Sequence, residues 1–326
     1  EAREGGAGGG ERPPRRPVDA REWPEFQSHS WFEPSDGSLD DEAAAALTSL
    51  EAQWAQAALH GPANVWVVKP GNSSKGSGVA CMQGLPEILH HCVAGSDRIV
   101  QKYIERPLLL FGGRKFDIRL WVLVRSFEPL EAYMFSDCYL RLCSEPFDLG
   151  DLANRHRHIS NWAVNKDGRH VLEGSVASLA DLERELARCV GVQGYWREEI
   201  WPKLEGIVLQ CLESVRHSVV QRAGCFELYG FDFMIDADLR PWLLEANLSP
   251  ACDPRAPWLA ELSGRMASRL LDLVFAGSEG APPGAGGPDW VRVSGARSGA
   301  EASAGAAGAA PRAGAPGTRQ KSEKRG

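Results

Sequence analysis

Hydrophobic positions divide the chain into a patterned middle and two unpatterned ends. Residues 1–40 and 278–326 are rich in Gly, Ala, Pro and Arg and show little apolar periodicity. Segments of this composition bury too little apolar surface to offset the entropy lost on ordering, so we expect disordered tails at both ends. The folded part is expected to be a single domain that spans residues 41–277.

Strand-like and helix-like patterns are mixed within this middle part. Strands are predicted at 65–69, 79–82, 98–104, 115–124, 130–142, 226–236 and 240–247. Helices are predicted at 41–60, 85–93, 178–190, 196–222 and 258–275. The fourth and fifth strands, and the last two, are joined by short turns and are expected to be antiparallel pairs. This order lacks regular βαβ alternation, so it predicts an α+β fold with antiparallel sheets and flanking helices.

Charge and cysteine content exclude several classes of function. The net charge is −7, which argues against a general nucleic-acid binder. The eight cysteines contain no CxxC pair, so neither a zinc site nor a disulfide framework is expected. No apolar run reaches the roughly 18 residues that suggest a membrane span. We therefore expect no nucleic-acid or membrane partner.

The segment KFDIR at 115–119 places charge inside an apolar strand. Side chains alternate along a strand, so Lys115, Asp117 and Arg119 share one face and the intervening apolar residues share the other. Buried charges need either a charged ligand or internal pairing. An exposed, salt-bridged strand remains an alternative for this segment taken alone.

The hairpin FDFMIDADLRPWLLEAN places oxygen ligands together. If its turn centres near Asp238-Leu239, Asp232 falls opposite Glu245, and Asn247 shares the face of Glu245. Opposed carboxylates repel, and a divalent cation such as Mg²⁺ would relieve the repulsion. The alternative is a pair of unrelated surface acids.

Two further segments carry weaker signals. KPGNSSKGSGVACM at 69–82 is a Gly/Ser loop with Lys75 at its tip, which could close over phosphates but matches no P-loop. Taken alone, this segment is better explained as an ordinary β-turn. QKYIERPLLL at 101–110 could be a hinge whose backbone reads an adenine edge, or a plain edge strand.

In order and spacing, WVVKP, SSKGSG, QKYIERPLL, KFDIRLWVLV, YLRL, HISNWAVNK, FELYGFDFMID and RPWLLEANLSP resemble the tubulin tyrosine ligase-like family. The resemblance covers residues 64–275 and is greatest to the glycine-adding members. It implies an ATP-grasp fold for residues 41–277, with the family's N-terminal domain largely missing. It also implies an ATP- and Mg²⁺-dependent ligase that acts through an acyl-phosphate. The acceptor would be a glutamate side chain of tubulin or another acidic protein tail.

The resemblance also assigns roles to residues. Catalytic roles fall to Lys115, Arg119 and Arg141. The nucleotide would be bound by Lys69, Lys75, Gly76, Gln101, Lys102, Tyr103, Ile104, Lys115, Asp117 and Asn161, with Asp117 holding the ribose or nearby polar groups. Substrate contacts fall to Arg119, Ser160 and Lys166. Mg²⁺ would be held by Asp232, Glu245 and Asn247.

The chain departs from the family pattern at three places. Lys75-Gly76 replaces an Arg-Gly pair, which keeps the charge but loses the planar fork. ISNWA replaces an LTNYS-type segment, which alters the amino-acid pocket at Trp162 and Ala163. Ala246 replaces Ile or Val on the face away from the metal.

We expect glycine as the transferred amino acid and a monomer acting in the cytoplasm on the cytoskeleton, including cilia and axonemes. Two alternatives stay open. One is a ligase of the same fold that transfers glutamate or tyrosine. The other is an inactive microtubule-binding pseudoenzyme, which the shortened N-terminus favours and the complete set of site residues disfavours.

Overall fold

A computed structural model describes residues 61–93, 97–166, 175–222, 224–252, 255–275 and 289–293, with scattered positions between 41 and 59. The predicted helix 41–60 and the predicted tails fall mostly outside these residues. Among the described helices, none is long and apolar enough to cross a membrane.

A small antiparallel sheet with the order β2-β1-β3 forms the first structural unit. Its elements are β1 (Val65–Pro70), β2 (Ala80–Gln83), α1 (Leu85–Val93) and β3 (Arg98–Lys102). Val68, Met82 and Ile88 form its small core, because the apolar face of α1 packs on the sheet. The Gly/Ser loop is the connection between β1 and β2.

A six-stranded sheet forms the larger unit, with the order β6-β5-β4-β7-β8 and a further strand, β9, paired with β5. Its strands are β4 (Arg114–Phe127), β5 (Leu130–Pro146), β6 (Val176–Ser178), β7 (Glu227–Ile235), β8 (Pro241–Leu248) and β9 (Trp290–Arg292). Both predicted hairpins, β4-β5 and β7-β8, are antiparallel neighbours. The α+β class is therefore confirmed.

Helices cover this sheet on both sides. They are α2 (Arg155–His158), α3 (Trp162–Asn165), α4 (Leu179–Val190), α5 (Trp201–Val215) and α6 (Pro257–Phe275). Ser178 starts α4 with a capping box to Asp181, and Gly191 ends it at a φ of 78°. The helix predicted over 196–222 is instead a π-helical turn followed by α5, which ends at Val215.

Strand β4 divides its two faces between core and cavity. Phe116, Ile118 and Leu120 pack into the core formed with α4 and α5. On the opposite face, Trp121 and Leu123 lie in a second core beneath α6. That helix does not reach the first half of the face, where the charged residues of the KFDIR segment are found. Those residues therefore border the space between the two sheets.

The link between the sheets is fixed at both ends. The buried Glu105 carboxylate accepts hydrogen bonds from the backbone N–H groups of Ala63 and Val65, at 2.9 and 2.8 Å. Three residues later, the Leu108 N–H donates to the carbonyl of Ile235 at 2.9 Å. The segment predicted as a hinge thus joins the small sheet directly to the end of β7.

One predicted boundary is wrong. Residues 289–293 fall within the predicted C-terminal tail, yet β9 pairs with β5 and places Trp290 against Phe135, with ring centres 5.1 Å apart. Trp290 is buried in the core beneath α6. A single tryptophan far beyond the last periodic segment was not enough to predict this strand.

Candidate functional site

A cavity of about 870 Å³ opens between the two sheets, within the range of about 300–1,000 Å³ typical of ligand sites. Every side chain proposed from the sequence for catalysis, nucleotide, substrate or metal borders it. These residues are Lys69, Lys75, Gly76, Gln101, Lys102, Tyr103, Ile104, Lys115, Asp117, Arg119, Arg141, Ser160, Asn161, Lys166, Asp232, Glu245 and Asn247. Six strands, β1, β3, β4, β5, β7 and β8, together with the connections between elements, thus bring together residues that lie far apart in sequence.

Internal ion pairs neutralise the two buried arginines. Arg119 binds Asp232 through two contacts, Nε to Oδ1 at 2.5 Å and Nη2 to Oδ2 at 3.0 Å. Arg141 bridges two carboxylates, with Nε 2.6 Å from Asp117 Oδ1 and Nη2 2.7 Å from Asp232 Oδ2. All four side chains are buried. The sequence left internal pairing and a charged ligand as alternatives for this strand face, and these two arginines are internally paired.

The pairing fixes the ionisation of Asp232. Burial opposes its negative charge, but the guanidinium groups of Arg141 and Arg119 outweigh burial and lower its pKa. Asp117 is equally committed, since one oxygen accepts from Arg141 and the other from the Ser160 hydroxyl. Both Asp117 oxygens are therefore hydrogen-bonded within the protein, and the role that the resemblance implies for Asp117 stays a prediction.

Asp232 and Glu245 are opposite each other in the β7-β8 pair, as predicted. The route to this register differs from the predicted one. Ile235 pairs with Pro241, so the turn centres on Asp238, and a bulge at Leu244 then brings Glu245 into place. Leu243, before the bulge, packs against the core, whereas Glu245, after it, borders the cavity.

Asn247 completes an oxygen-rich corner. Its Nδ2 donates to Asp232 Oδ2 at 3.1 Å and to Glu245 Oε1 at 3.2 Å. Burial and the neighbouring Asp232 charge raise the pKa of Glu245. A cation between the carboxylates would relieve that repulsion, and a rotated amide would offer it Oδ1 in place of Nδ2. Two carboxylates and an amide oxygen fit Mg²⁺, which also takes phosphate and water ligands.

The ammonium of Lys115 is held in a different way. It donates to the carbonyl of His158 at 2.7 Å and to the hydroxyl of Tyr103 at 3.0 Å, and lies 4.2 Å from the centre of the Tyr103 ring. All of these partners are neutral. Burial lowers the pKa of Lys115, so an anionic ligand in the cavity would stabilise its charged form. Lys69, Lys75 and Lys166 also border the cavity and make no hydrogen bond or ion pair with the described residues.

The Gly/Ser loop contacts α2 and the segment that follows it. Arg155 Nη2 donates to the carbonyl oxygen of Gly76 at 2.5 Å. Gly76 has a φ of +77°, and a Cβ there would come within 3.0 Å of Asn161 Oδ1. Only glycine suits this backbone and this close approach. The loop tip and Asn161 therefore form one wall of the cavity.

The small sheet provides a mixed wall at the other end. Gln101 and Ile104 border the cavity, while the Lys102 ammonium forms an ion pair with Glu105 at 2.6 Å and donates to the carbonyl of Val65 at 3.0 Å. Lys102 thus stabilises the link between the sheets as well as bordering the site.

Three residues near the cavity were given no role in it from the sequence: Arg155, His158 and Arg255. The first two lie on α2, a helix of four residues that is too short to show periodicity. Arg255 precedes α6, and its guanidinium lies 5.8 Å from the centre of the Trp162 ring. The signal that could have found the two arginines was their positive charge beside the segments 159–166 and 247–250, and His158 is the first residue of the motif HISNWAVNK.

Thiol and imidazole metal sites are absent from the part of the chain that the structure describes. No group of three or more His, Cys, Asp or Glu side chains there could hold a metal ion. All eight cysteines lie among the described residues and none forms a disulfide.

Comparison with known proteins decides the family. The model of the tubulin-tyrosine ligase family matches residues 38–281. The chain belongs to this family. The α+β architecture, with a cavity between a small and a large antiparallel sheet, is consistent with the ATP-grasp-like fold of this family.

Several relatives of this chain are named for glycylation. Tubulin glycylase 3E of Tetrahymena thermophila is 38% identical over 226 residues, which are 67% of this chain and 16% of the relative. Tubulin monoglycylase TTLL3 is 36% identical over 242 residues in Homo sapiens, covering 70% of this chain and 31% of the relative. The Danio rerio TTLL3 is 36% identical over 227 residues, 66% of this chain and 29% of the relative. The chain thus spans less than a third of the length of these relatives.

Proposed function

We propose that this chain is an ATP- and Mg²⁺-dependent ligase that joins glycine, through an isopeptide bond, to glutamate side chains of tubulin. One observation carries the proposal. Cations that no carboxylate neutralises and an oxygen-rich corner border the same cavity, with Lys115 on one side and Glu245 on the other. The names of the relatives supply the substrate and the amino acid.

Residues of the chain would divide the work as follows. Lys69 and Lys115 contact the phosphates, and Lys75-Gly76 covers them from the Gly/Ser loop. Gln101 to Ile104 line the adenine site, with Asn161 near the phosphates. Such catalysis is mostly positioning and electrostatic stabilisation, because the transferred phosphoryl group carries spread negative charge. Its acceptor is the γ-carboxylate of a protein glutamate, which takes the γ-phosphoryl group as ADP leaves. The amino group of glycine then attacks the acyl-phosphate carbon, loses a proton and displaces phosphate, which leaves the isopeptide bond.

Asp232, Glu245 and Asn247 would hold Mg²⁺, which neutralises phosphate charge when it is bound. Arg119 and Arg141 enter the reaction already oriented by Asp232 and Asp117, so their remaining N–H groups can meet the acyl-phosphate without reorganisation. Ser160, fixed on Asp117, and Lys166, at the open side, would contact the substrates.

The amino-acid site is proposed beside Trp162 and Ala163. The Trp162 ring occupies volume there and Arg255 lies near its face. A filled pocket suits glycine, although excluding one side-chain carbon gives only about 10- to 200-fold selectivity. Microtubules of the cytoplasm, cilia and axonemes are the expected place of action, with the chain acting as a monomer.

The test is a transfer assay with purified chain, ATP, Mg²⁺, tubulin and a labelled amino acid. Labelled glycine should enter tubulin, and the label should require both ATP and Mg²⁺. Transfer of glutamate or tyrosine instead would overturn the choice of amino acid. No transfer, with ATP binding retained in calorimetry, would make the chain a binding protein without ligase activity.

A further inference from the structure

His158 lies behind the cavity wall in a chain of hydrogen bonds that ends at Lys115. Its Nε2 is 2.9 Å from the backbone carbonyl of Asp151, and its Nδ1 is 2.9 Å from the Tyr103 hydroxyl. The Tyr103 oxygen is in turn 3.0 Å from Lys115 Nζ. None of the roles assigned to the site so far uses this histidine.

The direction of every hydrogen bond in the chain is determined by its ends. A carbonyl can only accept, so His158 Nε2 carries the ring proton. In the neutral ring Nδ1 must then accept, which makes Tyr103 the donor to it. The Tyr103 oxygen, having given its proton to His158, presents its lone pairs to Lys115. Each partner has one role that it can play.

Lys115 is oriented by two groups from the same region. One ammonium N–H donates to Tyr103 and a second donates to the carbonyl of His158 at 2.7 Å. The third is left for the cavity that Lys115 borders. Ring packing holds the acceptors in place, with Phe147 stacked on Tyr103 at 6.4 Å and packed edge-on against His158 at 5.6 Å.

We infer that His158 is a positioning residue that, through Tyr103, aims the Lys115 ammonium at the nucleotide phosphates, and that protonation of His158 turns this arrangement off. The inference rests on the proposed function in one respect, the contact between Lys115 and ATP. A protonated ring has donors at both nitrogens, so Tyr103 loses its acceptor. A second positive charge would also face Lys115.

The surroundings of His158 favour the neutral ring at pH 7. Burial lowers its pKa, Lys115 and Arg157 add to this effect, and Asp151 opposes it. The groups that face the ring are Tyr103, Phe147, Lys115, Asp151 and Arg157. Protonation therefore begins below the ordinary value of 6.5, and ATP affinity should fall with it.

The experiment measures ATP affinity by calorimetry from pH 5 to pH 8 for the wild type and three variants. Wild-type affinity should fall about tenfold or more as His158 protonates. Tyr103→Phe should reduce affinity at pH 7 and lose the acid dependence, because the phenyl ring keeps the packing but removes the hydroxyl. His158→Asn should restore part of the affinity lost in His158→Leu, since its amide oxygen can accept from Tyr103.

His156→Asn is the matched control. It lies two residues away on the same helix, with Nδ1 3.3 Å from the Ser144 hydroxyl, and does not border the cavity. Its ATP affinity should follow the wild-type pH curve. An unchanged curve in His158→Asn, or a curve altered equally in His156→Asn, would overturn the inference.

A second measurement avoids ligand and variants altogether. Long-range ¹H–¹⁵N spectra of the histidine rings should show His158 as the neutral Nε2–H form at pH 7. The Nδ1–H form, or a protonated ring at that pH, would overturn the inference. Both measurements read binding and protonation, so they remain decisive even if no amino acid is transferred to tubulin.

Discussion

Leu244 forms a bulge in β8, so that Glu245 rather than Leu244 lies opposite Asp232. In a regular strand the register set by the turn would pair Leu244 with Asp232 and direct Glu245 towards the core. One extra residue therefore sets which side chain meets the buried carboxylate. Bulges that redirect a side chain occur often beside active sites.

Replacing Glu245 by Gln should abolish transfer while preserving the fold. Loss of one charged ligand is expected to lower the transfer rate by about 10²-fold or more. Unfolding in metal-free buffer should occur at an unchanged or higher temperature, because the repulsion with Asp232 is removed. Asp238→Asn, at the exposed turn of the same hairpin, is the control and should behave as wild type. Transfer by Glu245→Gln above a tenth of the wild-type rate would contradict the metal assignment.

Asp232 and Glu245 should make the free energy of unfolding depend on pH in opposite directions. The pKa of Asp232 is lowered, so its stabilising contribution is lost as pH falls below the ordinary value of 3.8. The pKa of Glu245 is raised, so its contribution is complete below 4.5 and lost as pH rises through its folded-state pKa. Urea unfolding of metal-free protein across pH should show both trends, and Glu245→Gln should remove only the second. A variant that kept both would rule out this attribution.

Arg141→Met should destabilise the chain strongly, because it leaves Asp117 and Asp232 buried with less compensation. Breaking a buried pair costs about 3–5 kcal/mol. Arg265→Met removes an exposed arginine that pairs with Asp137, and should cost about 1 kcal/mol or less. Urea unfolding at pH 7 measures both. Equal losses in the two variants would show that the buried network is not the source of the stability.

Gly76→Ala should weaken ATP binding as well as destabilise the fold through backbone strain. Gly112 is the matched control, since its φ is +78° and nothing lies within 4 Å of its added Cβ, whereas Gly76 meets Asn161. Both variants should lose about 1 kcal/mol or more of unfolding free energy from the positive φ. Only Gly76→Ala should raise the KM for ATP. If Gly112→Ala also raised the KM for ATP, the raised KM of Gly76→Ala could not be attributed to the contact between the loop and Asn161.

Trp162→Ala should broaden the choice of amino acid. Removing the ring frees volume beside Arg255, so alanine and serine should enter, and the preference for glycine should fall by about 10- to 200-fold. Competition between labelled glycine and alanine measures the ratio. Trp258→Ala, which alters a tryptophan away from the cavity, should leave the ratio unchanged. An unchanged preference in Trp162→Ala would place the amino acid elsewhere.

The sequence predicted seven of the nine described strands because long period-two runs such as 115–124 carry a strong signal, and it missed only the three-residue strands β6 and β9. It also predicted which side chains border the cavity, since β4 alternation alone places Lys115, Asp117 and Arg119 together. Their roles in binding and catalysis stay predictions. The buried ion pairs could not be predicted from the sequence, because Arg141 contacts Asp232 only through the arrangement of three strands. Nothing in local pattern distinguishes a neutralised Arg119 from a Lys115 held by neutral groups.

Short helices and strands also could not be predicted from the sequence. The helix that carries His158 has four residues and the strand that carries Trp290 has three, so neither completes enough periods to be read from sequence. Both depend on tertiary contacts, His158 on Tyr103 and Trp290 on Phe135. The bulge at Leu244 was hidden for the same reason, since only the turn and the core together reveal it.

The strand that carries Trp290 limits where the protein can be truncated. The groups that border the cavity all precede residue 256, but the tryptophan that fills the core under β5 comes from position 290. A fragment stopped at residue 277 would keep every reactive side chain and leave an indole-sized void beside Phe135, a defect worth about 3–5 kcal/mol. Its inactivity would then report lost folding rather than lost chemistry.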